Sequence, residues 1–265
     1  NEPEVYKKAC KFLTGSSYVT AKLTGNYTVD RFLGIASFRP FYQMDGTIRE
    51  EMCDPICSPS QLAEGHAVTD IAGRVTEAAA AETGLAPGTP VIVGTGDSAA
   101  EAISTGVLSP GDLMVQFGSS LFFYCCTDRM VTDERVRGNS FVIPGRYSIA
   151  AGTNNAGTLQ NWYRDTLFSD CLQAEETEAG SSFAQMMEGI EEIEPGSEGL
   201  VTLPYFAGER TPINDPAARG MVFGLTLNHT RKHLYRSALE GIVFSILQHI
   251  EIFREKGIEP TRILA

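Results

Sequence analysis

The residues best suited to chemistry sit in glycine-rich turns. The first turn is Gly94-Thr95-Gly96-Asp97, between the apolar run Val91-Ile92-Val93 and a helical pattern from Ser98 to Ser104. Glycines let a strand turn sharply into a helix, and the helix N-terminus offers free N–H groups to an anion. A carboxylate at Asp97 can accept a proton from a substrate hydroxyl. A plainer role for Asp97 is to cap the helix, and the local pattern alone favours it. The same stretch reads Gly94-x-Gly96-x-x-Ala99, which matches a dinucleotide-binding fingerprint. That fingerprint calls for an acidic residue about 20 positions on. Here the next strand ends in Gln116-Phe117-Gly118-Ser119, without an acid, so the match is weak.

The second turn is Gly118-Ser119-Ser120. Small residues expose backbone N–H groups and the hydroxyls add donors, so a phosphate can sit there. Taken locally, an ordinary hairpin turn is the better account. The third stretch is Gly208-Glu209-Arg210-Thr211-Pro212, followed by Asp215-Pro216 and Arg219-Gly220. Its density of turn formers and charge points to an ordered loop, with an ion pair between Glu209 and Arg210 as the plain reading. His229 and His233 have a spacing that suits a metal, but no Glu adjoins His229 as in an HExxH motif. Two exposed histidines and no metal site are expected. Cys10, Cys53, Cys57, Cys125, Cys126 and Cys171 form no CxxC pair and read as reduced thiols, which points to the cytoplasm.

The elements that must hold these turns follow from periodicity and punctuation. A short helix is predicted over Ser17 to Leu23, stopped by Gly25, and a stronger one over Asp70 to Glu82, capped by Asp70 and ended by Gly84. Ser109-Pro110-Gly111-Asp112 is a turn and a natural domain boundary. Leu113 to Phe117 and Leu121 to Cys126 form a hairpin around the second turn. Further strands are predicted at Phe141 to Ile143, Tyr147 to Ala150 and Leu200 to Tyr205, and Arg262-Ile263-Leu264-Ala265 reads as the start of another. Helices are predicted over Asn155 to Leu167, Phe183 to Ile190 and about Thr230 to Lys256. In the last, Leu239, Ile242, Val243, Ile246, Ile250 and Phe253 make one apolar core stripe. Strand–helix alternation mixed with hairpins indicates α/β architecture in two domains.

Composition narrows the partners. The chain has 265 residues, 43% hydrophobic and 20% charged, with a net charge of −12. No basic run is present, which argues against nucleic acid, since phosphate-backbone binding needs clustered Lys and Arg. No apolar run approaches the ~20 residues needed to span a bilayer. The chain begins at Asn1 without a signal-peptide pattern, and both ends read as cut from a longer protein.

Taken together, the motifs resemble one family. Gly96-Asp97-Ser98-Ala99-Ala100, Pro110-Gly111-Asp112, Gly118-Ser119-Ser120, Gly208-Glu209-Arg210-Thr211-Pro212 through Asp215-Pro216-x-Ala218-Arg219-Gly220, and Gly224-Leu225-Thr226 look like the FGGY carbohydrate kinases, xylulokinase branch. Leu23-Thr24-Gly25-Asn26-Tyr27-x-x-Asp30 and Arg236-x-x-x-Glu240-Gly241 extend the likeness over nearly the whole chain. The resemblance implies an α/β, actin-like (ribonuclease H-like) ATPase fold of two domains, incomplete at both ends. Residues 1–108 would belong to the N-terminal, sugar-binding domain and residues 109–265 to the start of the C-terminal, nucleotide-binding domain.

It also implies transfer of the γ-phosphoryl group of Mg2+-ATP to a sugar hydroxyl across a cleft between domains. D-xylulose is the leading substrate, and another ketose, glycerol or a sugar acid is the alternative. Asp97 becomes the general base and a sugar contact, Ser98 a second sugar contact, and Gly118, Ser119 and Ser120 the phosphate contact. Where the family usually has Gly-Thr-Ser or Gly-Thr-Thr, this chain has Gly118-Ser119-Ser120, which keeps a hydroxyl. Where xylulokinases often have Asn after the base, it has Ser98. The family's first phosphate hairpin would lie upstream of Asn1 and its adenosine loop beyond Ala265. The chain as given is therefore expected to fold in part without phosphorylating sugar. A homodimer is an open form of assembly. A Rossmann-type NAD-binding domain and a non-catalytic scaffold are the rival readings.

Overall fold

In the computed structural model, residues 2–175 and 181–265 are described. The first stretch carries α1 (Pro3–Lys8), α2 (Gly15–Thr24), β1 (Thr28–Asp30), α3 (Arg31–Ser37), β2 (Glu64–His66), β3 (Ile71–Arg74), α4 (Glu77–Thr83), β4 (Pro90–Ile92) and α5 (Asp97–Ser104). Then come β5 (Asp112–Phe117), β6 (Leu121–Thr127), β7 (Arg137–Ser140), β8 (Tyr147–Thr153), α6 (Gly157–Leu167), α7 (Ser169–Glu175) and α8 (Ser182–Met187). The chain closes with β9 (Val201–Leu203), β10 (Met221–Phe223), α9 (Arg231–Glu255) and β11 (Arg262–Leu264).

Two compact units emerge. The first is Asn1–Pro110 with Cys126–Met130 and Gly138–Ser148; the second is Gly111–Cys125, Val131–Arg137 and Ile149–Ala265. In the first, β1 pairs in parallel with β2, and β3 pairs antiparallel with β4 across a bulge. Val29, Ile35, Tyr42, Cys53, Leu62 and Ala63 form its apolar core. In the second, β5 and β6 make the hairpin, with Phe117 opposite Leu121, and β11 adds in parallel to β5. These strands belong to a sheet ordered β11-β5-β6-β8-β7. Its core packs Leu113, Val115, Phe123 and Ile149 with Leu159 and Tyr163 of α6 and Tyr235, Ile242 and Phe253 of α9.

Several sequence expectations shift. The helix predicted from Asp70 starts only at Glu77, capped by Thr76. Residues 71–74 are strand instead, because pairing with β4 satisfies their backbone. Asp70 accepts from the amide of Ala67. The strand predicted at 141–143 lies earlier, at β7. On α9, Val243 is exposed, while Ser237, Ser245 and His249 are buried. The helix therefore carries a partly polar inner face. Gly241 on that face is required: a Cβ there would collide with the Thr202 carbonyl of β9. Among the described residues no helix is long and apolar enough to cross a membrane.

Candidate active site

The loop from β4 to α5 is shaped by glycine and held from beneath. Gly94 sits at φ +70, in the left-handed region that L side chains adopt only under strain. A Cβ on Gly96 would press on the Leu33 side chain at 3.0 Å. Thr20 donates its hydroxyl to Val93 O at 3.4 Å. Asp97 is the first residue of α5, and Gly96 is the N-cap residue. Asp97 is thus not the cap: a capping carboxylate reaches the amide two or three residues on. Its Oδ1 instead accepts from Ser98 N, at 2.7 Å. Oδ2 has no hydrogen-bond partner among the described residues, and the side chain is exposed, leaving an oxygen available to a hydroxyl proton. Ser98 is half-buried beside it.

Behind this loop lies an acid that sequence reasoning missed. Asp30 is 2% exposed and caps α3, with Oδ1 accepting from Leu33 N at 3.0 Å. Its Oδ2 faces the Thr95 hydroxyl without closing a hydrogen bond, and both oxygens are buried. Burial pushes the Asp30 pKa up to about 6, against the opposing pull of the α3 amides.

In the second unit, the turn at 118–120 has a one-sided hydrogen-bonding pattern. Gly118 N donates to Ser120 O at 3.0 Å, and Gly157 N donates to Gly118 O at 3.0 Å. Ser119 O accepts from Ala156 N at 3.3 Å, Thr158 N at 3.0 Å and Thr158 Oγ1 at 2.9 Å. All three carbonyls of the turn are therefore engaged. The amides and hydroxyls of Ser119 and Ser120 have no partner among the described residues. A turn whose acceptors are occupied and whose donors are free suits an anion such as a nucleotide phosphate.

Arg210 and Thr211 brace the neighbouring strand end. The Arg210 guanidinium donates to Thr153 O at 2.8 Å and Leu121 O at 3.4 Å. It makes no ion pair with Glu209, contrary to the sequence reading. Gly152 N donates to Thr211 Oγ1 at 2.7 Å, and Thr211 Oγ1 lies 3.0 Å from His249 Nε2. His249 Nδ1 is 2.7 Å from Ser245 O, an acceptor, so Nδ1 carries the proton and Nε2 is the open lone pair. Burial drives the His249 pKa down and keeps the ring neutral, stacked on Phe123 at 4.5 Å.

His229 and His233 are half-buried rather than exposed. Each Nδ1 accepts a backbone amide, from Thr226 and Thr230. That places the proton on Nε2 and removes the lone pair a metal would need. Among the described residues no group of three or more His, Cys, Asp or Glu gathers as a metal cage. Magnesium is commonly held by one or two carboxylates with substrate phosphates and water, which needs no such cage.

Comparison with known proteins gives the class and then the family. A xylulose kinase from Rhodospirillum rubrum superposes with a TM-score of 0.87 at 31% identity, over 99% of this chain and 51% of its own. A glycerol kinase from Plasmodium falciparum, solved with ADP, superposes at 0.80 with 19% identity, over 100% of this chain and 51% of its own. The protein thus has the α/β, actin-like ATPase fold of the sugar kinases.

Residues 1–104 match the N-terminal domain model of the FGGY family of carbohydrate kinases, and residues 113–265 match its C-terminal domain model. The chain belongs to that family. A xylulose kinase of Bacillus subtilis strain 168 is 31% identical over 272 residues, covering 97% of this chain and 50% of its own length. A gluconokinase of the same strain is 27% identical over 246 residues, covering 92% and 48%. The chain spans about half the length of the curated relatives it matches. The dinucleotide-binding reading falls, since β4 pairs antiparallel with β3 alone and not within a parallel sheet.

Proposed function

We propose that the protein takes part in ATP-dependent phosphorylation of a sugar hydroxyl, with D-xylulose as substrate and D-xylulose 5-phosphate as product. Residues 1–108 are assigned to the sugar-binding domain and residues 109–265 to the nucleotide-binding domain. The observation that carries the reading is the turn at 118–120, with its carbonyls engaged and its Ser119 and Ser120 donors free. Family membership supports the same reaction class. When bound, Mg2+-ATP supplies the phosphoryl group and the cation that offsets its charge.

The chain's own residues then have separate tasks. Gly118 shapes the turn, and Ser119 and Ser120 hold phosphate oxygens through N–H and O–H groups. The exposed oxygen of Asp97 takes the proton from the sugar hydroxyl as that oxygen becomes a nucleophile. Ser98 gives the sugar a hydroxyl contact. The enzyme is assigned to the cytoplasm, with a homodimer as its assembly.

The choice of D-xylulose rests on the xylulose kinases among the relatives. Gluconate is the second reading, because gluconokinases match at 27% and 28% identity. The test is ADP release by the full-length protein with Mg2+-ATP and D-xylulose, D-gluconate, L-ribulose or glycerol in turn. The highest kcat/KM is expected with D-xylulose. A clear preference for any other acceptor rejects that substrate, and no acceptor-dependent ADP release by the full-length protein rejects the kinase reading.

A further inference from the structure

Glu209 is 3% exposed. One oxygen, Oε1, accepts from Asn154 N at 3.0 Å and from Arg210 N at 2.7 Å. The other, Oε2, is buried without a hydrogen-bond partner. The Asn155 amide lies beside the carboxyl and gives one of its two N–H groups to Gly208 O at 2.8 Å. Burying a carboxylate with one oxygen unsatisfied is costly, and a neutral or apolar side chain would be cheaper at a site with no further task.

The bonds made by Glu209 lead to the turn. Glu209 fixes Asn154, and the Asn155 side chain, 1% exposed, ties Ala207 N (2.9 Å) and Gly208 O into the same knot. The next three residues, Ala156, Gly157 and Thr158, are those whose amides hold the carbonyls of Gly118 and Ser119. The first amides of α6 are thereby spent on the turn's carbonyls and not on a ligand.

We infer that Glu209 is a positioning residue. Its Oε1 orders segment 154–158, and that segment holds the 118–120 turn in its donor-out shape, without Glu209 touching the nucleotide. The inference rests on the reading of that turn as the phosphate contact, but the ordering itself is measurable without nucleotide.

The test is amide hydrogen exchange by NMR on the 265-residue chain, comparing Glu209→Ala, Glu209→Gln and the native sequence. Exchange at Ala156, Gly157 and Thr158 is expected to rise at least about tenfold in the alanine variant, with the β5 amides of Leu113 to Val115 unchanged. Glutamine keeps an oxygen at Oε1 and is expected to restore protection to within about threefold. ATP-induced shifts of the Ser119 and Ser120 amides should weaken in the alanine variant and recover with glutamine. Unchanged exchange in the alanine variant overturns the inference, and so does failure of glutamine to rescue. If the alanine variant does not fold, Asn155→Asp, which loses the donor to Gly208 O, takes its place. Unaltered exchange at 156–158 in that variant equally overturns the inference. A native chain with no ATP-induced shift at Ser119 and Ser120, but with the exchange pattern intact, rejects the phosphate reading and leaves the role of Glu209 standing.

Discussion

Replacing Asp30 by Asn isolates the cost of the buried charge behind the Asp97 loop. Asparagine is as good an N-cap as aspartate, so the bond from Leu33 N to Oδ1 is kept. What changes is the charge. The folded pKa of about 6 lies above the ordinary 3.8. Between those values the folded state binds more protons than the unfolded state, so stability falls as pH rises from about 4 through about 6. The penalty is absent below that window and fully present above it. A shift of about two units corresponds to about 3 kcal/mol at 1.36 kcal/mol per unit. Asp30→Asn is therefore expected to stabilise the first unit by up to about 3 kcal/mol near pH 8 and to be nearly neutral near pH 4. Urea unfolding followed by far-UV circular dichroism at both pH values measures it. Trp162 fluorescence is unsuitable, because that residue lies in the second unit. The same difference at both pH values, or a loss of stability near pH 8, refutes the reasoning.

Other outcomes follow from the site. In the full-length protein, Asp97→Asn is expected to lower kcat by about 10²- to 10⁴-fold with ATP affinity nearly unchanged, as steady-state kinetics and calorimetry would show. A variant that keeps most of its turnover removes Asp97 as the base. Gly157→Ala places a Cβ 2.7 Å from Gly118 O, so it should displace the turn and weaken ATP binding about tenfold or more, read by calorimetry. His249 is neutral in the fold with a pKa below its ordinary 6.5. The unfolded state binds more protons there, so stability is full above about pH 6.5 and declines as pH falls below it. His249→Gln should flatten that decline in urea titrations across the range.

Local signals made part of the site legible. The hairpin of β5 and β6 was readable because two apolar runs flank a turn of small residues. The long helix α9 was readable from its 3.6-residue period. Asp97 and the glycines before it stood out by type and spacing. The carboxylate behind them did not. Asp30 gives no sign of burial in sequence, because the segments that cover it lie far away in order, and Glu209 stood out with its loop but read as a partner of Arg210. Three-residue strands such as β1 and β10 have too little length for periodicity and exist through pairing with distant partners. Ile71–Arg74 was misread for a related reason: the helical signal of 77–83 extends backward in sequence, whereas β4 claims those four residues in space. Polar residues on the inner face of α9 break the apolar stripe, so periodicity predicted Val243 inside and was silent on His249. The Asn154-Asn155-Ala156-Gly157 run, polar and glycine-bearing between strand and helix, was the signal that could have marked the brace of the 118–120 turn.

The close seating of Gly241 on β9 makes α9 a lever. Helices transmit displacement along their length with little internal give, and Gly241 and His249 are eight residues, or about 12 Å, apart along the same rod. A side chain at 241 cannot enter the strand, so it must lift the helix at that point. The lift arrives at His249, whose ring shares the Thr211 hydroxyl with the end of β8. On the proposed reading, nucleotide affinity therefore has a mutational target larger than the 118–120 turn. A random screen for weakened ATP binding should return substitutions at 241, a position 121 residues beyond Ser120 in the chain.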